Sequence, residues 1–126
     1  MKAMKIPVAV LSLLLAIALV DSYLLTRQCE DWHILTDNME RYALAANWEN
    51  AQQELDVLQE NWSQWQTYLH IIIDHQEIDR VENLLALCRI YTDEKDTVAL
   101  RATVSELRCQ FSLLAENEQF NIKNVL

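Results

Sequence analysis

Between residues 48 and 72 the apolar side chains fall at alternating steps of three and four: Trp48, Ala51, Leu55, Leu58, Trp62, Trp65, Leu69 and Ile72. A strand would alternate every second residue. Steps of three and four instead lay one continuous stripe along a helix and repeat as heptads. The same rule holds earlier in Leu25, Trp32, Leu35, Met39, Tyr42 and Ala46, with Gln28 as the one polar member of that stripe. A third stripe comprises Ile78, Val81, Leu85 and Cys88, broadened by Leu84 and Tyr91. Leu100, Val104, Leu107, Phe111 and Leu114 make a fourth.

The breaks between stripes carry helix-start chemistry. Asn47 is placed to cap the helix that follows it, and Asp74 with Glu77 three residues on reads as a capping box. Residues 92–96, Thr-Asp-Glu-Lys-Asp, form a polar turn whose Asp96 can cap the last helix. The pattern predicts helices over 22–46, 48–73, 75–92 and 97–117. Turns this short make neighbours antiparallel, so the expected fold is all-α, an up-down bundle of about four helices. Residues 118–126 form a C-terminal tail in this scheme. No internal repeat appears: Asn47-Trp48-x-x-Ala51-x-x-x-Leu55 has a tetratricopeptide flavour, but nothing matches it about 34 residues on.

The N-terminal segment follows another pattern. Residues 6–20, IPVAVLSLLLAIALV, carry no charge, and Lys2 and Lys5 precede them. Beyond Asp21, the residues Tyr23, Leu24 and Leu25 continue the apolar character. A helix from Ile6 to Leu25 is about 30 Å long, the thickness of a bilayer core. The expectation is a transmembrane anchor over 1–21, continuous with the first bundle helix. Lysines before it and acid after it place the N-terminus in the cytoplasm and the body outside, in the cell membrane as a single-pass protein. The rival is a cleaved signal peptide, with Ala16-Ile17-Ala18 as the small-x-small site. Cys29 is not a lipoprotein cysteine, because Arg27 and Gln28 stand where small residues are needed. In the up-down order, the turn around Ile71-Ile72-Ile73-Asp74-His75 returns to membrane level near Asp21 and Tyr23. The tail returns there too, with Phe120, Ile122, Val125 and Leu126 available to dock.

Composition sharpens this. The 126 residues include one Pro, Pro7, and no Gly. Hairpin turns and phosphate-cradling loops use Gly where the backbone takes positive φ, so their absence argues against β and nucleotide-binding folds. The net charge is −9, and all 19 acidic residues lie beyond residue 20. That argues against nucleic acid or an anionic lipid surface as the main partner, since phosphate contacts need clustered Lys and Arg.

Little in the chain points to catalysis. His70, Asp74, His75, Glu77 and Asp79 gather near the second break, with His70–Asp74 and His75–Asp79 at i,i+4 spacing. Imidazoles and carboxylates can bind a metal or move protons. Yet the two pairs straddle a helix break, and Asp74 and Glu77 already serve as caps. There is no HExxH and no CxxC, and no catalytic, cofactor-binding or metal residue is assigned. His33 reads as a surface side chain. Trp62 and Trp65 are either core or an aromatic groove for a partner helix, and exposure decides between them. Of Cys29, Cys88 and Cys109, only Cys29 and Cys109 lie at matching heights, so that bridge is geometrically possible, with free thiols the leading expectation.

Several segments together carry a resemblance: the Lys-flanked apolar span, Asn47-Trp48-Glu49-x-Ala51 opening a helix, Trp62 and Trp65, and the block Ile73-Asp74-His75-Gln76-Glu77-Ile78-Asp79. Ser105-Glu106-Leu107 and the terminal Asn121-Ile122-Lys123-Asn124-Val125-Leu126 complete it. With these the chain resembles a bacterial family of short, membrane-anchored proteins described only as domain of unknown function 4363. The resemblance implies a cell-envelope protein and transfers no catalytic residue. Relatives often have Gly-Asp before the Trp where this chain has Ala46-Asn47, which weakens the expectation of a sharp turn there. The function expected is an extracytoplasmic interaction or adaptor module at the membrane, with Trp62, Trp65, Asp74, His75, Glu77 and Asp79 as partner contacts. The alternatives are a self-associating structural protein and a metal-dependent enzyme using the His70–Asp79 region.

Overall fold

The computed structural model describes residues 2–125, except for the side chains of residues 2, 72 and 117–125. Four helices follow one another: α1 (Lys2–Leu44), α2 (Trp48–Ile72), α3 (His75–Asp93) and α4 (Thr97–Val125). There is no strand among the described residues. Each helix packs on its two neighbours, α1 on α2, α2 on α3, α3 on α4 and α4 on α1, which closes an up-down bundle.

The stripes of α2, α3 and α4 close on one another as their spacing predicts. Ala51, Leu55, Leu58, Trp62 and Leu69 of α2 are buried with Ile78, Val81, Leu84, Leu85 and Cys88 of α3. Leu100, Val104, Leu107, Phe111 and Leu114 of α4 complete that core. In α1 the buried line is displaced by one residue from the expected one. Leu25, Trp32 and Met39 are shared, but the positions between them are Cys29, Thr36 and Ala43 instead of Gln28, Leu35 and Tyr42. Leu35 and Tyr42 flank the core, half-buried. The displacement is possible because Thr36 satisfies its own hydroxyl. It donates to the His33 carbonyl at 2.8 Å. Thr92 and Thr103 are buried by the same device, donating to the carbonyls of Cys88 and Ala99. A threonine bonded to the preceding turn presents its methyl group to the core.

Two of the three turns are built alike, without glycine. After α1, Ala46 takes φ 58°, Ala46 N–H bonds to the Ala43 carbonyl, and Asn47 N–H reaches back to Tyr42 at 2.8 Å. After α3, Lys95 takes φ 56°, Lys95 N–H bonds to Thr92, and Asp96 N–H reaches back to Tyr91 at 2.9 Å. These are Schellman closures with a left-handed residue where glycine is usual. The last residue of each closure also caps the next helix. The Asn47 side chain accepts from Asn50 N–H and that of Asp96 from Ala99 N–H. Thus the sharp turn forms at Ala46-Asn47 despite the missing Gly, and the second hairpin repeats the first at the backbone level, although no side-chain repeat announces it.

The middle turn is different. Ile73 and Asp74 are both extended, and Asp74 caps α3 by accepting from Gln76 N–H at 3.4 Å. At the C-terminus, α4 runs to Val125 instead of ending at 117, because nothing from 115 to 125 is Pro or Gly. The expected burial of Ile72 and docking of Phe120, Ile122, Val125 and Leu126 lie outside the described side chains.

The N-terminal stretch and the first bundle helix are one uninterrupted α1, which tolerates Pro7 near its start. Among the described residues it is the one helix long and apolar enough to cross a membrane, and its most apolar 18-residue window is wholly unburied. A signal sequence has the same length and composition.

Candidate functional site

The cluster around the α2–α3 turn is assembled by the end of one helix and the start of the next. His70 lies in the last turn of α2 and His75 is the first residue of α3. The two rings meet across the turn, with Nδ1 atoms 3.2 Å apart and centroids 5.2 Å apart. One Nδ1 must donate and the other accept. No hydrogen bond or ion pair joins His70 to Asp74 or His75 to Asp79, so the expected i,i+4 pairs are replaced by this ring-to-ring contact. His70, Asp74, His75 and Asp79 are exposed, and Glu77 is half-buried. Asp79 lines a shallow groove with Arg80, Asn83 and Leu87 of α3 and Glu106 of α4. Arg80 and Glu106 pair across that groove at 3.4 Å. No group of three metal-ligating side chains gathers among the described residues.

The tryptophans separate by depth. Trp32 and Trp62 are buried and pack against Phe111 with tilted rings, centroids 5.0 Å (Trp32–Phe111) and 6.3 Å (Trp62–Phe111) apart. Trp32 and Trp62 themselves lie 5.3 Å apart. Trp65 is half-buried, edge-on to Trp32 and to Tyr68. Neither buried indole N–H has a hydrogen-bond acceptor. This cluster is therefore the central layer of the core, and Trp65 is its one member with a face toward solvent.

One arrangement has no signal in the sequence. Ser112 Oγ of α4 lies 3.2 Å from His33 Nε2 of α1. His33 is half-buried and edge-on to Phe111 instead of simply lying on the surface. A serine on an imidazole is the first half of a nucleophilic dyad. The rest of the machinery is missing among the described residues. No carboxylate bonds His33, and Asp37 one turn on pairs with Arg108 at 2.8 Å. The nearby backbone N–H groups lie inside helices and are spent on them, so none is left to hold an oxyanion. The pair acts as a polar clip between α1 and α4.

The cysteines are unpaired. Cys29 and Cys88 are buried and Cys109 is exposed. Burial pushes the Cys29 thiol up to about 12, with the neighbouring Glu30 carboxylate adding to it. Burial alone does the same to Cys88. Neither is a nucleophile at neutral pH.

A family model described as Domain of unknown function (DUF4363) matches residues 19–125. No curated protein and no solved structure matches the chain.

Proposed function

The chain belongs to the DUF4363 family, and because a family of unknown function hands over no activity, we propose from the architecture alone that it is a membrane-tethered adaptor, a helical module held outside the cytoplasm to bind an envelope protein. The observation that carries this reading is the continuity of α1. An unburied apolar stretch, with no packing inside the protein to explain it, runs without a break into a bundle helix whose seam is closed. Lys2 and Lys5 on one side of that stretch and an acidic body on the other favour a cytoplasmic N-terminus. The bacterial envelope is the compartment this reading assigns. Trp65, Asp74, His75, Glu77 and Asp79 are the partner contacts it favours. Trp62, expected as a partner contact, is buried in the core and is left out of that face.

The alternative, self-association, loses its first motive in this fold. Heptad seams can close between chains, but here they close within one chain, so a second copy would have to use the outer faces. In-cell crosslinking of membrane-embedded protein followed by mass spectrometry separates the two. A reproducible heterologous protein crosslinked near residues 74–79 is the expected result. Crosslinks to copies of itself alone would replace the adaptor with an oligomer. An intact N-terminus in the mature protein supports the anchor, and a start after Ala18 would show a cleaved signal peptide.

A further inference from the structure

Antiparallel helices keep a fixed register, so one contact between α1 and α2 sets the height of every residue on both. Trp32 faces Trp62. Counting equally in opposite directions from that contact puts Leu25 level with Leu69, both fully buried, and Tyr23 level with Ile71. Tyr23 and Ile71 are instead exposed, at 63% and 78%. Leu24 and Val20 beside them are exposed as well. The base of the bundle thus carries exposed apolar side chains, beside Asp21 and the exposed Asp74, at the level where α1 leaves its apolar stretch.

The distances decide what covers these side chains. Tyr23 is three residues beyond Val20, about 4.5 Å along the helix axis. The headgroup layer of a bilayer is roughly 5–7 Å thick on each side. Leu44, at the far end of α1, stands about 36 Å from Val20. We infer that the α2–α3 turn is a second lipid contact, with Ile71 seated in the headgroup layer of the leaflet that α1 leaves, beside Tyr23. This inference rests on the membrane-anchor reading of α1. His70 and His75 flank Ile71 and spend their Nδ1 atoms on each other. The Nε2 of His70 has no protein partner among the described residues and is left for headgroup oxygens, while His75 stays with the partner-facing residues. An aromatic and an aliphatic side chain beside polar tips are what an interface selects, because one end of the surface is apolar and the other is wet.

The test places a cysteine-linked environment-sensitive fluorophore at one position at a time in full-length protein carrying Cys109→Ser. Cys29 and Cys88 are buried and escape labelling. The positions are Leu14→Cys in the apolar stretch, Ile71→Cys at the turn and Leu44→Cys at the far end, all exposed. The protein is reconstituted into vesicles of the zwitterionic lipids phosphatidylethanolamine and phosphatidylcholine containing lipids with a nitroxide either near the headgroup or deep in the chain. The expected result is strong quenching at position 71 by the shallow nitroxide, quenching at 14 by the deep one, and none at 44. Quenching at 14 with position 71 as silent as 44 would overturn the docking and leave the anchor standing. Silence at all three would overturn the anchor as well. Unlabelled Ile71→Asp gives a reading free of the probe: proteolysis within the α2–α3 turn in vesicles should become faster than in the parent, and an unchanged rate would count against the contact.

Discussion

Ala46 and Lys95 hold the left-handed conformation that an L-residue enters only against the crowding of its own Cβ. Both close a hairpin and precede the cap of the next helix, so the strain lies at hinge points of the fold. Ala46→Gly and Lys95→Gly should each stabilise the protein by about 0.5–1 kcal/mol, since the gain at positive φ outweighs the added freedom of the unfolded chain. Denaturant unfolding followed by helical circular dichroism would show the midpoint rise with unchanged slope. A fall would mean that the Cβ of Ala46 or the stem of Lys95 contributes packing that the turn geometry does not reveal. The cysteines make a second residue-scale prediction. A maleimide at neutral pH should modify Cys109 alone in folded protein, and all three thiols after unfolding, as counted by intact mass. Because the folded thiols of Cys29 and Cys88 are raised from 9.0 to about 12, both states are neutral below 9 and their contribution to stability is intact there. Above it the unfolded thiols ionise first, so stability should fall as pH climbs from 9 to about 12. Cys88→Ala should flatten that fall when unfolding midpoints are compared across the range. The place of Cys88 on the third stripe made its burial legible in the sequence, but the burial of Cys29 beside the expected Gln28 and the left-handed angle at Ala46 and Lys95 were not legible, because spacing does not fix which neighbour turns inward or which residue takes positive φ.

At the scale of the element, periodicity told most of the story. The stripes of α2, α3 and α4 can be counted off the sequence because their buried positions are nearly all apolar. The α1 stripe slipped by one residue because a hydrophobic-polar alphabet scores Leu35 above Thr36 and cannot know that Thr36 bonds its own helix. The α4 terminus ran past its expected end for the opposite reason: polarity marked a tail, but polarity without Pro or Gly does not stop a helix. The aromatic layer between α1, α2 and α4 offers a direct check on how these elements are held. Trp62→Ala should cost about 3–5 kcal/mol by opening a cavity against Trp32 and Phe111. Trp62→Phe should stay within about 1 kcal/mol of the parent, because it keeps a ring and removes an indole N–H that has no acceptor. Thermal or denaturant unfolding of the pair distinguishes a ring that matters for its bulk from one held by an unseen polar partner, in which case phenylalanine would cost nearly as much as alanine.

The whole molecule adds what neither residues nor helices show singly, namely how the acidic surface is stitched together. Four arginines are spent between helices: Arg89 on Asp56 across α2 and α3, Arg80 on Glu106 across α3 and α4, and Arg101 and Arg108 on Glu40 across α4 and α1. Glu40 receives two guanidinium groups and its side chain is only 18% exposed. Glu40→Ala should cost about 1 kcal/mol, and the difference from the parent should shrink as salt is added. A salt-independent loss would point to packing by the Glu40 stem. These long-range pairs, like the His33–Ser112 contact, were invisible in the chain because they join residues far apart in sequence and follow no spacing rule. The histidine cluster was visible as a group but not in its connections, since a helix break lies between its halves.

The unbroken course of α1 has a mechanical meaning. A bundle hung from its anchor by a loop would swivel, and whatever its flanks met would leave the anchor at rest. Here Val20 and Ser22 are neighbours on one shaft, with Ser22 already inside the core. In the anchored reading proposed above, a rotation of the bundle would therefore be passed along α1 to its apolar end. One residue inserted between them would turn one half against the other by about 100° and leave both halves folded. In that reading, the bundle and its anchor would turn together, because both are stretches of a single helix.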